Sequence, residues 1–298
     1  VKRLLANGLT RLGLGLLWLL HWLPLALLAP LGRALGRLSW GLARSRRRIA
    51  LRNLELCFPE LDEPQRRALA FEHFQLMGRS ILERGLLWHA SPERLQRLIQ
   101  IEGPVDFADK HPGAVMWLVP HFVSLDVAAA AARMSIARPA CSVYQRQSNP
   151  VFDAAVRRGR LRFGPVRLLS RREAAKPLLR AIRQGEGFFN LPDMDFGIKD
   201  AEFVPFFGVP AATLLAPARM ARLLDMKVQP VIGEMLPGAQ GYRVRFLEPW
   251  EHFPTDDAYA DAVALNSWIE QEIRRNPAQY LWVHRRFKTR PPGEPSLY

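Results

Sequence analysis

Residues 114–133 read Ala-Val-Met-Trp-Leu-Val-Pro-His121-Phe-Val-Ser-Leu-Asp126-Val-Ala-Ala-Ala-Ala-Ala-Arg133. The apolar run predicts a buried strand, Pro120-His121 a sharp turn, and the small residues a helix with Asp126 in its first turn. Such an arrangement sets a histidine–carboxylate pair at the mouth of a sheet. A histidine oriented by a carboxylate is a general base for a hydroxyl group. No serine or cysteine nucleophile motif accompanies it, so the chemistry suggested is direct transfer, with an acceptor hydroxyl attacking an activated acyl group.

Spacing alone does not select this pair, because His252 and Asp257 repeat it. There the context is a polar loop before a helix, with Thr255 or Asp256 as N-cap and Asp257 as a first-turn acid. His121 follows an unbroken apolar strand instead, and open α/β sheets bind ligands at the carboxyl ends of their strands. Asn149 caps a further helix that ends in Gly159-Arg160-Leu-Arg162. Arg160, with Arg162 beside it, suits a phosphate or a developing oxyanion, and equally the C-terminal end of a helix dipole. Leu191-Pro-Asp193-Met-Asp195 follows another apolar strand, and its two acids suit a site lining or a loop cap. A metal is not expected there, since no third ligand stands at metal spacing. Phe203-Val-Pro-Phe-Phe-Gly-Val-Pro reads as a rigid apolar turn, either pocket floor or plain core. Tyr280-Leu-Trp-Val-His284-Arg-Arg-Phe-Lys reads as amphipathic and basic, facing lipid phosphates or water.

These residues need a scaffold, and the chain is long enough for one large α/β domain with an appendage: 298 residues, 49% hydrophobic, with a formal net charge of +14. Only six of the 42 basic residues are lysine. Excess positive charge favours anionic membranes, phosphorylated lipids or acidic partner proteins. A nucleic-acid partner is not expected, because the basic residues flank apolar segments. Cys57 and Cys141 show no disulfide or metal spacing and read as reduced thiols.

Leu12 to Leu31 is nearly uninterrupted apolar sequence, close to the length that spans a bilayer. Pro24 and Pro30 argue against one straight helix. Helices over about 4–22 and 25–40 fit better, with residues 1–42 as membrane-anchoring helices and 43–298 as the remaining domain. Basic residues are heavier after the apolar run than before it, which places that domain in the cytoplasm. Further helices are predicted at 46–57, from the Asp62-Glu-Pro-Gln65 start to Trp88, from Ser91, and at 124–133, 149–162, 171–184, 213–224 and 256–275. Strands are predicted at 114–119, 140–144, 166–169, 187–191, 227–233 and 242–247. The alternation indicates an α/β sheet covered by helices.

Taken in order, the N-terminal segment, His121-Phe-Val-Ser-Leu-Asp126, Asn149-Pro…Gly159-Arg160, Leu191-Pro-Asp193-Met-Asp195-Phe-Gly, Phe203-Val-Pro-Phe-Phe-Gly-Val-Pro-Ala and Pro277-Ala-Gln-Tyr-Leu-Trp-Val-His-Arg-Arg-Phe-Lys-Thr-Arg-Pro-Pro-Gly-Glu resemble the bacterial lipid A late acyltransferases. The chain departs from that family's pattern at Asp126, where many members carry glutamate. The resemblance implies a mixed sheet flanked by helices, of the glycerolipid acyltransferase type, with an N-terminal membrane-associated helical segment. It also implies an inner-membrane enzyme, monotopic or single-pass, facing the cytoplasm. The donor would be an acyl carrier protein thioester, with acyl-CoA as the other donor. The acceptor would be a hydroxyl on a phosphorylated lipid A precursor, and no cofactor is implied. His121 would act as base, Asp126 would hold its ring, and Arg160 with the helix amides near Ser124 would face the oxyanion or the lipid phosphate. Asn149, Arg162, Asp193 and Asp195 are expected to bind substrate. The rival expectations are a lysophospholipid or aminolipid acceptor, and a non-catalytic membrane scaffold of the same fold.

Overall fold

The computed structural model describes residues 2–171 and 175–298, with side chains from Leu4 onward. Four helices open the chain: α1 (Lys2–Leu20), α2 (Leu25–Leu42), α3 (Arg44–Cys57) and α4 (Glu63–His89). The Pro24 break falls between the first two, while Pro30 sits in the first turns of α2 without ending it. At the start of α4 the Asp62 carboxylate accepts from the Gln65 backbone N–H, and the Gln65 side chain accepts from the Asp62 N–H. These two reciprocal bonds satisfy donors that a bare helix end would leave open.

Then come α5 (Pro92–Leu98), β1 (Ile99–Glu102), α6 (Phe107–Lys110), β2 (Val115–Leu118), α7 (Leu125–Ser135), β3 (Ala140–Tyr144), α8 (Pro150–Arg160), β4 (Val166–Ser170), α9 (Ala175–Arg183) and β5 (Gly187–Asn190). The remainder is β6 (Ala201–Phe206), β7 (Val209–Leu214), α10 (Ala216–Leu223), β8 (Lys227–Met235), β9 (Tyr242–Phe246), α11 (Ala258–Arg275) and a final 3₁₀ turn, Pro277–Gln279. Seven strands form one sheet in the order β1-β9-β8-β2-β5-β3-β4. All neighbours run parallel except β8 and β9, so the sheet is mixed. β2 lies inside it with every residue buried, as its uninterrupted apolar sequence requires.

The sheet divides the core. Trp117, Ala140 and Phe189 pack with α7 on one face; Met116, Leu118, Cys141 and Phe188 pack with α9 to α11 on the other. α2 docks on α4 through glycines. A Cβ on Gly36 would stand 2.2 Å from the Phe74 carbonyl oxygen, and one on Gly78 2.2 Å from the Gly32 carbonyl oxygen.

Four sequence readings are corrected. Phe203–Pro210 is a β-hairpin, β6 pairing antiparallel with β7, and not a plain turn. Its two-residue loop, Phe207-Gly208, has positive φ at both positions (51° and 75°), which matches the twist of the flanking strands. The hairpin takes up Thr213 and Leu214, so the following helix starts at Ala216 and not at 213. Asp257 is itself the cap of α11, accepting from the Tyr259 and Ala260 N–H groups. The segment from Tyr280 to Lys288 is not a solvated face. Tyr280, Trp282, Arg286 and Phe287 are buried, because this stretch threads beneath the sheet's carboxyl end. For the helix expected at 171–184, residues 172–174 lie outside the described residues.

Candidate active site

Two adjacent parallel strands place the central pair. Leu118 of β2 and Asn190 of β5 are register partners, and the Val119 N–H donates to the Asn190 carbonyl at 2.9 Å. Three residues beyond each partner stand His121 and Asp193, each just after a proline. The proline lacks an N–H and fixes its φ, so both strands stop pairing at the same level. The two side chains then meet above the carboxyl end of the sheet.

Asp193 grips His121 twice. One carboxylate oxygen accepts from the His121 backbone N–H at 2.8 Å, and the other lies 2.7 Å from the ring Nδ1. Burial opposes ionisation of Asp193. The neighbouring His121, with its ring and backbone hydrogen bonds, nevertheless holds the carboxyl below its ordinary range. An ionised carboxylate only accepts, so Nδ1 must carry the proton, and Nε2 keeps its lone pair when the ring is neutral. Nε2 has no hydrogen-bond partner among the described residues, and His121 lines the adjoining cavity.

The turn that holds His121 is pinned from below by the C-terminal segment. Leu281 N–H donates to the His121 carbonyl at 2.9 Å, and Val123 N–H to the Gln279 carbonyl at 2.8 Å. Tyr280, fully buried beside Asp193, has its phenol pushed well above the ordinary value, by burial first and then by that carboxylate. His284 is driven down to about 4, mainly by burial, so it is neutral at physiological pH. Its Nε2 accepts from the Asp195 N–H at 3.2 Å.

Asp126 has different partners from those expected. Its Oδ2 accepts from Arg84 at 2.9 Å and its Oδ1 from Arg160 at 3.1 Å. The position expected for it at His121 Nδ1 is filled by Asp193. The reason is helical geometry: Asp126 lies in the first turn of α7 and reaches sideways to α4 and α8, which carry the two arginines. Burial works against its charge, but the Arg160 and Arg84 guanidiniums outweigh it and hold the carboxyl at about 2.

His121, Asp126 and Arg160 open onto one cavity of about 460 Å³. It lies where β3 and β5 part beyond the Ser142–Phe189 pair. Its walls draw on both faces of the sheet: Leu125, Ala129 and Arg133 of α7 on one side, Leu178, Pro217 and Met220 on the other. The hydroxyl of Ser142 is spent on the Phe189 carbonyl at 2.9 Å. The Cys141 thiol is raised to about 12 by burial and the Glu186 charge. From the apolar hairpin only Leu214 reaches this lining.

The other sequence-selected residues stand elsewhere. Ser124 is buried against Gly233, its hydroxyl unpartnered, and does not line the cavity. Asn149 caps α8 through the Val151 and Phe152 N–H groups and donates to Thr10 of α1 at 3.0 Å. Arg162 donates to the Leu87 and Ala90 carbonyls at the end of α4. Asp195 accepts from Gly197 and from the backbone and hydroxyl of Thr289, tying the C-terminal segment to the loop after β5. Among the described residues no group of three His, Cys, Asp or Glu side chains is placed to hold a metal ion.

Sequence reasoning did not name Arg84, which α4 presents from 42 residues upstream. The partnership of Asp193 with His121 was also missed. A signal for it exists: Leu-Val-Pro-His and Asn-Leu-Pro-Asp are two strand ends with the same offset to a polar residue after proline.

Comparison with known proteins bears on the chemistry. The family described as bacterial lipid A biosynthesis acyltransferase matches residues 2–289. The lipid A biosynthesis lauroyltransferase of Escherichia coli K12 is 35% identical over 293 residues, 97% of this chain and 94% of that protein. The palmitoleoyltransferase of the same strain is 34% identical over the same shares, and its myristoyltransferase 32% over 91% and 83%. With nearly the whole length matched, the chain belongs to the bacterial lipid A biosynthesis acyltransferase family and is an acyltransferase.

Proposed function

We propose that the chain performs a late acylation of lipid A, moving a fatty acyl group from an acyl carrier protein thioester, or from acyl-CoA, to a hydroxyl of a phosphorylated lipid A precursor. The observation that carries the reading is the double hydrogen bond from His121 to Asp193 at the cavity wall. Nε2 removes the acceptor hydroxyl proton as that oxygen attacks the thioester carbonyl carbon. Asp193 holds the ring tautomer and stabilises the imidazolium. Arg160, oriented by Asp126, donates to the oxyanion of the tetrahedral intermediate. The intermediate collapses, the C–S bond breaks, and the imidazolium returns the proton to the departing sulfur. No acyl-enzyme is needed. The Ser142 hydroxyl and the Cys141 thiol at the cavity are respectively occupied by a carbonyl and held as a neutral thiol.

The same reading seats α1 and α2 on the inner membrane, with the catalytic domain on the cytoplasmic side. Leu4, Leu5, Leu9, Leu12, Leu16, Trp18 and Leu19 are exposed on α1, Trp22 in the turn after it, and Leu27, Leu31, Leu38 and Leu42 on α2. No described helix is long and apolar enough to cross a membrane. A surface seat, with the apolar face in the headgroup boundary and α3's Arg44, Arg46, Arg47 and Arg48 near anionic lipid, fits both facts.

The experiment is acyl transfer in detergent from acyl carrier protein thioesters to tetra-acylated lipid A precursor, read by mass. A gain of one acyl chain supports the reading. No gain with any donor, from folded protein, overturns the acceptor and directs the search to lysophospholipids or aminolipids.

A further inference from the structure

Asp126, Ala129 and Arg133 follow one another along one face of α7 at near-helical spacing, and all three line the cavity. Seven residues of helix set Arg133 about 10 Å from Asp126 along the helix axis. It also borders a small adjoining void shared with Trp88, Arg160 and Phe163.

Arg133 carries its charge into a buried position at the cavity wall. The residue is 9% exposed, and its Nε is buried without a hydrogen-bond partner. No carboxylate lies within 4.0 Å of it among the described residues. Asp109, the acid whose charge acts on it, has spent both oxygens on the Ala137 and Arg138 N–H groups. One Arg133 amine donates to the Arg138 carbonyl at 2.8 Å. A Cβ on Gly164, where φ is +67°, would stand 2.7 Å from the other amine, so any side chain at that position would displace the guanidinium. An arginine in the last turn of a helix ordinarily complements the helix dipole from water. That role explains neither the burial nor the unpartnered nitrogen. Burying a charge without a counter-charge is costly, and the cost is removed when an anion arrives.

We propose that Arg133 forms a phosphate-binding subsite on the α7 wall of the cavity, taking a phosphate carried by one of the two substrates. The subsite rests on the acyl-transfer reading of the same cavity. A guanidinium presents several donors in one plane and suits tetrahedral oxyanions. Both substrate classes carry such a group: the sugar phosphates of the acceptor, and the phosphodiester of a carrier-protein or CoA donor. Arg160 and Arg84 are not equivalent candidates, since Asp126 already neutralises them.

The test uses the full-length protein in detergent. Wild type, Arg133→Met and Arg133→Lys are assayed with acyl carrier protein, acyl-CoA and phosphate-free acyl-N-acetylcysteamine donors. Each is paired with the bis-phosphorylated acceptor and with acceptors lacking one phosphate or the other. Wild-type transfer itself checks the underlying reading, independently of Arg133. The expected result is a KM raised about 10- to 100-fold by Arg133→Met for the phosphate-bearing substrate, more than any change in kcat, with partial recovery in Arg133→Lys. The penalty disappears with whichever phosphate is absent from the substrate, which identifies the source. A KM raised equally with and without phosphate, or not raised at all, overturns the subsite. If Arg133→Met fails to fold, wild type alone decides: indifference of its KM to every phosphate removal is the overturning result.

Discussion

His121 and Asp193, 72 residues apart, share two hydrogen bonds of 2.8 and 2.7 Å, one through the backbone and one through the imidazole. The first fixes where the residue sits and the second fixes which ring nitrogen is basic. Losing the carboxylate therefore removes position and tautomer together.

Asp193→Asn should lower kcat by about 10²- to 10⁴-fold, comparable to His121→Ala, while leaving the thermal midpoint within a few degrees. Steady-state rates beside a melting curve measure this. If Asp193→Asn kept a tenth or more of wild-type turnover, Asp193 would not orient the base.

Asp126 acts in this scheme through Arg160, so their substitutions should not add. Asp126→Asn and Arg160→Gln are each expected to cost about 10²–10³ in rate, and the double variant little more than the worse single. A double-mutant cycle on kcat gives the coupling. Fully additive losses would detach Asp126 from Arg160 and reopen a direct role for it at His121.

Stability should fall in mild acid. His73 and His284 are each lowered to about 4, chiefly by burial, from an ordinary value of 6.5. A depressed folded-state pKa means the unfolded chain binds the proton first, so the contribution is complete above about pH 6.5 and is lost as pH falls towards 4. The loss is about 2 kcal/mol per histidine by pH 5. Asp126, held at about 2, keeps its contribution in full above about pH 4 and loses it only below that, outside this interval. Denaturant midpoints at pH 7 and pH 5 should differ accordingly, and His73→Gln should shrink the difference. A midpoint flat across that interval would contradict it.

Leu9, Leu12 and Leu16 are all at least half exposed on α1. Replacing the three by Gln should reduce co-flotation with anionic phospholipid vesicles by an order of magnitude or more, at about 1 kcal/mol or more of lost transfer energy per side chain. The melting point should stay near wild type, since these side chains contact little of the protein. Unchanged flotation would remove α1 from the membrane seat.

The strand–turn–helix around His121, the Asp62 capping box, the Pro24 break and six of the sheet's seven strands were legible from the chain alone. Each depends on short-range rules: apolar runs, caps, proline geometry. The family resemblance was legible for the same reason, because its segments are local. The edge strand Ile99–Glu102 was not: Ile-Gln-Ile-Glu does alternate, but over only four residues, and only Ile99 is buried. Nor was the β6–β7 hairpin, whose two prolines argue against a strand and are tolerated because it stands outside the main sheet.

The partnership of His121 was decided by tertiary structure. Sequence proximity favoured Asp126, but from the first turn of α7 its carboxylate faces α4 and α8 and meets Arg84 and Arg160. Strand register brought Asp193 to the ring instead, and packing of α4 and α8 against α7 gave Asp126 its two arginines. Residue types and local spacing determined which groups were available. Which of them touch was set by how parallel strands align and which helix faces meet, and neither relation is written in any single stretch of chain.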